Sequence, residues 1–262
     1  MPHEHSHSAA SAISRPVLTV RVHAGLNAGN LLAGLFAVSG ISRFYSADEF
    51  FKSVFAGAQA ALSVKPVSVC GIGGVTAVFS LPEQGHEHGH VHRAPAEILH
   101  YYETAASLSE GALELASRIW LTLAQAEASV HGVPLEAVHF HEVGRMTNIW
   151  AVGLIAELFA ALNPVRFVSS SLPLADGTVR CAHGLVPNPA PATLAQLEGV
   201  SVRAYEGSGE TVSPTGLAIL KGLGAQFGAW PEMSVTRQIT AFAEGKVFEG
   251  ANGLVFAMGR AL

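Results

Sequence analysis

The stretch "VLTVRVHAGLNAGNLLAGLFAVSG", residues 17–40, decides the fold predicted for this chain. Its first part is rich in β-branched residues and ends at Gly25, which is typical of a strand that leads into a turn. Its second part has Asn27 or Asn30 near the start and Gly40 after the end, which is typical of a capped helix. The stretch therefore predicts a strand followed by a helix, and we expect a fold of the α/β class around it.

Helices and strands continue in mixed order through the rest of the chain. Ser46 and Glu49 have the spacing of a capping box at the start of a second helix, and the glycine-interrupted run 65–82 predicts a β-hairpin. The other predicted elements are helices at 94–108, 109–132, 146–162, 188–199 and 215–228 and strands at 165–175, 234–245 and 252–262. We expect a mixed α/β (α+β) fold of two small subdomains with mixed sheets and packed helices.

The predicted organisation along the chain has four parts. Residues 1–15 are a polar, His-containing tail that we expect to be disordered, and residues 16–84 are an N-terminal α/β subdomain. A His-rich loop at 85–94 joins it to a helical plus α/β C-terminal subdomain at 95–262.

Composition excludes several classes of protein. Apolar residues make up 49% of the 262 and charged residues 13%, so disorder over most of the length is not expected. The net charge of −5, without a Lys/Arg stripe, argues against nucleic acid as a partner. The two cysteines lack the spacing of a zinc ribbon or a disulfide scaffold. No apolar run is long enough for a membrane span and the polar N-terminus does not resemble a signal peptide, so we expect a cytoplasmic location.

The His-rich loop, "GHEHGHVHRA", carries a histidine at every second position, namely His86, His88, His90 and His92. In an extended segment alternate side chains share one face, and neutral imidazole suits nickel, zinc and copper. The pattern predicts a metal site, with a solvated loop of no metal-binding role as the alternative. Because a loop gives its ligands little support from neighbouring groups, the site suits collection of an ion better than catalysis.

A second histidine pattern lies in "VHGVPLEAVHFHEVG", residues 130–144. If Phe140 turns into the core, His139 and His141 face the opposite side, and Glu142 follows at the entrance to a helix. We take His139, His141 and Glu142 as candidate catalytic residues. The alternative is a pair of histidines that cap the helix through backbone hydrogen bonds.

Two later segments complete the candidate site. In "CAHGLVPNPAPAT", residues 181–193, a proline-rich connection holds His183, which is either a fourth catalytic candidate or part of a purely structural loop. In "GSGETVSPTGLAIL", residues 207–220, glycines precede a helix start whose free N–H groups suit a phosphate or carboxylate. The candidate ligand-binding residues there are Ser213, Thr215 and Gly216, with a simple N-cap by Ser213 as the alternative.

The order of these motifs resembles the LarC-type nickel insertion family, which completes the nickel-pincer nucleotide cofactor of lactate racemase. The resemblance runs from residue 17 to about 260 and is carried by "AEASVHGVP", "VHFHEVG", "CAHG" with "PAPAT", and "VSPTG". It implies CTP-dependent insertion of nickel into a pyridinium bisthiocarboxylic acid mononucleotide, a lyase reaction of the cyclometallase (nickelochelatase) type that forms Ni–S bonds and a Ni–C bond.

The resemblance also implies cofactors and partners. Nickel is the expected metal, and CTP with Mg or Mn is expected from a further C-terminal domain that the family carries. We expect this chain to be the first, nickel-handling domain alone, with a separate partner chain supplying the other domain. Self-association into a homo-oligomer stays open.

Three positions depart from the family pattern. The resemblance implies carboxylates where this chain has Asn30, Thr147 and Ala151. Carboxylates bind hard divalent ions and serve as general bases, so their loss argues for an altered reaction or for dependence on a partner. Two alternatives therefore stay open: a metal-independent enzyme acting on a nicotinate-derived or thiocarboxylate metabolite, and a non-catalytic nickel metallochaperone.

We predict that replacing His86, His88, His90 and His92 together by Ala lowers the metal content of the purified protein. The melting temperature should fall by no more than a few degrees, because exposed substitutions change stability by about 0.5 kcal/mol or less. Elemental analysis and thermal melting of protein purified without a metal-affinity step check both parts. A large loss of stability with unchanged metal content would show that these histidines are structural.

Overall fold

The computed structural model describes residues 15–82, 92–181, 183–245 and 248–262. Within these ranges the helices are α1 (Ala28–Ser39), α2 (Ala47–Val54), α3 (Pro95–Ala105), α4 (Glu110–His131), α5 (Met146–Leu162), α6 (Pro191–Leu194) and α7 (Pro214–Gly222). The strands are β1 (Val17–Val22), β2 (Ala61–Val69), β3 (Ile72–Ser80), β4 (Arg166–Ser169), β5 (Leu172–Leu174), β6 (Thr178–Cys181), β7 (Gly184–Pro187), β8 (Val202–Ala204), β9 (Gln226–Phe227), β10 (Met233–Ala241) and β11 (Leu254–Ala261). The predicted mixed α/β class is confirmed.

A seven-stranded mixed sheet with the order β2-β3-β10-β11-β1-β4-β9 organises the fold. Strand β1 is antiparallel to β11 and parallel to β4, and all six of its residues are buried. Burial of every residue, including Thr19 and Arg21, is typical of a strand covered on both faces. The sheet takes three strands from before the His-rich loop and four from after it, so the two predicted subdomains share it. Their boundaries stay a prediction.

Helices stack on the sheet in successive layers. Helix α1 packs on β3, β10 and β11, α5 packs on α1, and α4 packs on α5. Helix α1 approaches the sheet closely because Gly34 faces the ring of Phe256 without a side chain between them. Helix α5 lies between two other helices, which explains why its sequence is apolar on nearly every side.

Buried hydrogen bonds connect the outer helices to α5. The Tyr102 hydroxyl donates to the carbonyl of Ile149 at 2.6 Å, and the Trp120 indole N–H donates to the same hydroxyl at 2.9 Å. Burial raises the pKa of Tyr102, so the hydroxyl keeps its proton. The bonds satisfy the polar atoms of two large buried side chains and join α3, α4 and α5.

The capping signals read from the sequence are confirmed. The Asn27 side chain accepts from the backbone of Asn30 at the start of α1, and Gly40 ends that helix in the left-handed region at φ 79°. Ser46 and Glu49 form a complete capping box on α2. The predicted hairpin is formed by β2 and β3.

The single strand predicted over 165–175 is wrong. The segment forms two strands, β4 in the large sheet and β5 paired with β8. The break falls at Ser170, whose hydroxyl accepts a hydrogen bond from the backbone N–H of Val22 at 2.9 Å. This side-chain bond takes the place of the next backbone hydrogen bond between the two strands. An unpredicted hairpin of β6 and β7 begins before the connection at 181–193 and extends into it.

Other predicted features fall elsewhere. The tail as far as residue 14 and most of the His-rich loop, with His86, His88 and His90, lie outside the described residues. None of the helices in the described ranges combines the length and apolarity needed to span a bilayer.

We predict opposite effects for the same substitution in two helices. Gly34→Ala should lower the free energy of unfolding by about 1–3 kcal/mol, because the added methyl overlaps the Phe256 ring. Gly111→Ala on α4 should raise it by about 0.4–1 kcal/mol, because the nearest atom, Ala160 Cβ, lies 3.8 Å away. Urea denaturation of both variants measures the difference. Equal effects would contradict the close packing of α1 on the sheet.

Candidate functional site

A cleft of about 520 Å³ opens where several helices begin and α4 ends. Its lining comes from the starts of α1, α5, α6 and α7, from the last turn of α4 and from the β6–β7 hairpin. Helix starts expose backbone N–H groups that have no partner within the helix. Their convergence makes the cleft a place for a polar or anionic ligand.

A backbone clamp holds two of these helix starts together. The N–H of Leu26 donates to the carbonyl of Thr211 at 2.9 Å, and the carbonyl of Leu26 accepts from Ser213 at 2.9 Å. A Cβ at Gly216 would lie 2.7 Å from the Leu26 oxygen, so only glycine permits this approach. The starts of α1 and α7 are therefore fixed side by side by main-chain contacts.

The side of the cleft formed by the starts of α1, α5 and α7 is suited to negative charge. Their first turns contain no acidic residue, so the positive ends of the helix dipoles are not neutralised locally. Arg145 occupies the N-cap of α5, is exposed, and is the one arginine or lysine among the described lining residues. We call this part of the cleft the anion side.

Four imidazole rings gather at another wall of the cleft, and three of them, His131, His141 and His183, line it. The rings of His92 and His141 have centroids 4.7 Å apart, those of His141 and His183 are 5.2 Å apart, and those of His131 and His183 are 5.0 Å apart. His131 and His141 are 6.4 Å apart. We call these four residues the histidine cluster. They come from four separate segments of the chain, so the fold assembles the cluster.

The chain around Phe140 brings two of these rings together. Phe140 is buried against Trp120, with ring centroids 5.3 Å apart. It exchanges two backbone hydrogen bonds with Arg93, of 3.1 and 2.8 Å, in an isolated antiparallel bridge. Since Arg93 lies near the end of the His-rich loop and directly follows His92, the bridge brings His92, the last histidine of that loop, beside His141.

Glu127 and Cys181 extend the polar character of this wall. A carboxylate oxygen of Glu127 lies 3.4 Å from Nε2 of His131, one helical turn away on α4. Burial raises the pKa of Glu127, an effect partly offset by the nearby His131 and His183. The Cys181 thiol lies 3.9 Å from Nδ1 of His183. In the described parts of the chain, no three His, Cys, Asp or Glu side chains already converge as ligands of one ion.

Most of the predicted site residues that lie in the described parts of the chain line this cleft. His141, Glu142, His183, Ser213 and Thr215 line it. Gly216 is buried and donates its N–H to the Ser213 hydroxyl at 3.1 Å, so the N-cap considered as an alternative is present. His139 is exposed and does not belong to the lining, and His92 lies in the histidine cluster.

Sequence reasoning missed part of the site. Glu127 and His131 are four residues apart on a helix, a spacing that places two side chains on one face and was available as a signal. Arg145 and Cys181 carried no such signal. They reach the cleft only because the α5 start and the β6–β7 hairpin pack beside the end of α4.

The three positions that depart from the family pattern have different surroundings. Asn30 is buried, and its amide donates to the carbonyl of Gly25 at 2.8 Å, a bond that an ionised carboxylate cannot make. Thr147 lines the cleft in the first turn of α5. Ala151 is buried one turn further along, in the core. Only Thr147 thus faces the cleft directly.

Comparison with known proteins identifies relatives of this chain. A family model described as "Nickel insertion protein" matches residues 18–259. The "Putative nickel insertion protein" of Geobacter metallireducens is 41% identical over 145 residues, which is 55% of this chain and 37% of that protein. The "Pyridinium-3,5-bisthiocarboxylic acid mononucleotide nickel insertion protein" of Geobacillus kaustophilus is 38% identical over 156 residues, 59% of this chain and 38% of that protein.

The matched stretches have limited extent. A further "Putative nickel insertion protein", from Geobacter sulfurreducens, is 46% identical over 142 residues, which is 52% of this chain but 37% of the relative. The chain therefore spans well under half of the length of these relatives. No solved structure matches the chain significantly.

Proposed function

The chain belongs to the nickel insertion protein family, and on that premise we propose that it binds nickel as cargo and a pyridinium thiocarboxylate mononucleotide as its acceptor. The activity named for the Geobacillus kaustophilus relative supports this choice of acceptor. In this proposal the cleft serves the step in which the metal is inserted. The observation that carries the proposal is the division of one cleft into an anion side and a histidine wall.

The phosphate of the mononucleotide fits the anion side. Backbone N–H groups at helix starts, together with the Arg145 guanidinium, favour a phosphate by charge and by hydrogen bonding. The Ser213 hydroxyl already caps Gly216, so we assign the side-chain contact with the ligand to Thr215. Thr215 is 5% exposed and lines the cleft, which limits its hydroxyl to a ligand bound inside.

The ring and sulfur end of the acceptor fits the histidine wall. Among the described lining residues Glu127, Glu142 and Glu210 outnumber the single arginine, and this acidic balance suits a cationic pyridinium ring and a divalent metal. We propose that His141, Glu142 and His183 contact that end. His139 lies outside the cleft lining, so the proposal rests on the other three predicted catalytic residues.

The finer activity implied by the resemblance is a cyclometallase (lyase) reaction that uses CTP with Mg or Mn. Hard divalent ions prefer carboxylate oxygens, and the anion side has no carboxylate in the first turns of α1, α5 and α7. We therefore propose that a separate partner chain binds CTP with its metal. The cleft described here contributes the nickel and the acceptor.

A non-catalytic nickel metallochaperone is the second candidate. It is favoured by the neutral residues Asn30, Thr147 and Ala151, which leave no acid at the positions where the family has carboxylates. A chaperone of this kind binds nickel but not the mononucleotide. Binding of the acceptor therefore distinguishes the two candidates.

We predict that calorimetry detects binding of nicotinic acid mononucleotide, a pyridinium carboxylate mononucleotide, and that Thr215→Glu abolishes it. The added carboxylate faces the phosphate across the anion side. Because Thr215 is buried, Arg145→Glu provides a second test at an exposed position and should weaken binding at least tenfold. Thr104→Glu, at an exposed position on α3, is the matched control. Unaltered binding in both cleft variants would contradict the phosphate site.

We also predict that the purified chain does not form the nickel-containing product when given nickel, CTP, Mg²⁺ and the bisthiocarboxylic acid mononucleotide. The reason is that Asn30 and Thr147 stand where the resemblance implies carboxylates, and carboxylates are the groups that hold hard divalent ions and move protons. The Geobacillus kaustophilus relative assayed in parallel is the positive control. Mass spectrometry of the products decides, and turnover by this chain alone would refute the prediction.

A further inference from the structure

We propose that His131, His141 and His183 form a three-histidine site that holds the nickel ion inside the cleft. This inference deepens the proposed function and takes the identity of the cargo from it. The His-rich loop was the metal site predicted from the sequence. The site proposed here is a different one and consists only of described residues of the fold.

Two of the three ring separations match the distance expected between imidazoles that share one ion. A metal-bound imidazole nitrogen lies about 2.1 Å from the ion, which puts the centroids of two rings on one ion about 5 Å apart. The measured separations are 5.0 Å for His131 with His183, 5.2 Å for His141 with His183 and 6.4 Å for His131 with His141. The first two separations match this value, and binding of one ion by all three rings requires side-chain rotations that bring His131 and His141 closer together.

The chemistry of the three ligands suits nickel and its release. Neutral imidazole is a good nickel ligand, and a site of three such ligands leaves coordination positions open for an incoming group. The three rings belong to different elements, namely the end of α4, the segment before α5 and the turn of the β6–β7 hairpin. Because His131, His141 and His183 all line the cleft, an ion held by them faces the proposed acceptor.

Glu127 supplies the support that a metal-bound histidine normally has. Its carboxylate lies 3.4 Å from Nε2 of His131, which orients the ring and leaves Nδ1 for the ion. The Glu127 side chain is 14% exposed, so this contact is sheltered from solvent. We assign Glu127 as a positioning residue.

His92 connects this site to the His-rich loop. Its ring lies 4.7 Å from His141, and the hydrogen-bonded bridge of Arg93 with Phe140 fixes the neighbouring backbone. A nickel ion collected by the loop therefore reaches His141 by exchanging one imidazole for another. No electron transfer is needed, since the ion stays divalent.

The test first removes candidate nickel ligands outside the proposed site, namely histidines of the N-terminal tail and of the His-rich loop. In a tag-free background with Ala at His3, His5, His7, His86, His88 and His90, calorimetry with nickel chloride should detect one bound ion per chain. Adding His141→Ala or His183→Ala should weaken the binding at least tenfold. His139→Ala, in the same segment but outside the cleft lining, is the matched control and should leave the affinity unchanged.

The positioning role has its own readout. Glu127→Gln should lower nickel affinity 10- to 100-fold, the usual effect of losing a carboxylate that orients a metal-bound histidine. It should also shift the d–d absorption bands of the bound ion, which a purely structural residue would leave unchanged. Thermal melting verifies the fold of each variant. His141→Gln and His183→Gln replace any alanine variant that melts more than a few degrees lower.

The outcomes separate this inference from the proposed function. No nickel binding in the six-alanine background, or unchanged affinity after removal of His141 and His183, would overturn the three-histidine site even if the mononucleotide still binds. Nickel binding that depends on these residues, with no binding of the mononucleotide, would support the site and refute the acceptor role of the cleft.

Discussion

The contact of Leu26 with the Thr211–Ser213 segment is the constraint on which the cleft depends. Strand β1 is fully buried in the interior of the sheet, between β11 and β4, so its end cannot move without disturbing the core. Leu26 follows that end, and its two backbone hydrogen bonds fix the start of α7 next to the start of α1. Gly216 is required because any side chain would meet the Leu26 oxygen. Main-chain contacts thus hold the helix starts of the anion side in place, and the side chains of Arg145 and Thr215 complete it.

A second main-chain contact builds the histidine wall. Phe140 fills a place in the core beside Trp120, and its backbone pairs with Arg93. This pairing joins the exit of the His-rich loop to the segment that carries His141. The two walls of the cleft therefore have different physical characters. One offers fixed dipoles for an anion, and the other offers imidazole side chains, which we propose as ligands of the nickel ion.

The positions where the resemblance implies carboxylates carry no charge in this chain. Asn30 donates to the carbonyl of Gly25 while its own oxygen accepts from Asn27, so the amide makes both bonds that hold the α1 start. An ionised carboxylate would lose the first of these bonds. Thr147 adds no charge to the first turn of α5. Without a carboxylate in their first turns the helix starts keep their positive character, which favours phosphate binding. They also lack a group able to hold a hard divalent ion or move a proton. This balance is the physical basis for expecting ligand binding without the complete reaction.

The sequence by itself determined the elements and the candidate motifs. Caps such as Asn27, Ser46 and Gly40 are local signals, because a side chain and the backbone within a few residues decide them, and the resemblance to a nickel insertion family followed from ordered motifs. Only the tertiary structure decided which residues share a site. It brought His131 and His92 to His141 and His183, left His139 outside the cleft lining, and divided the segment predicted as one strand at 165–175 between two sheets. Residue spacing carries no information about such long-range pairings, because they are set by how β1, α4 and α5 pack in the core and not by neighbours along the chain.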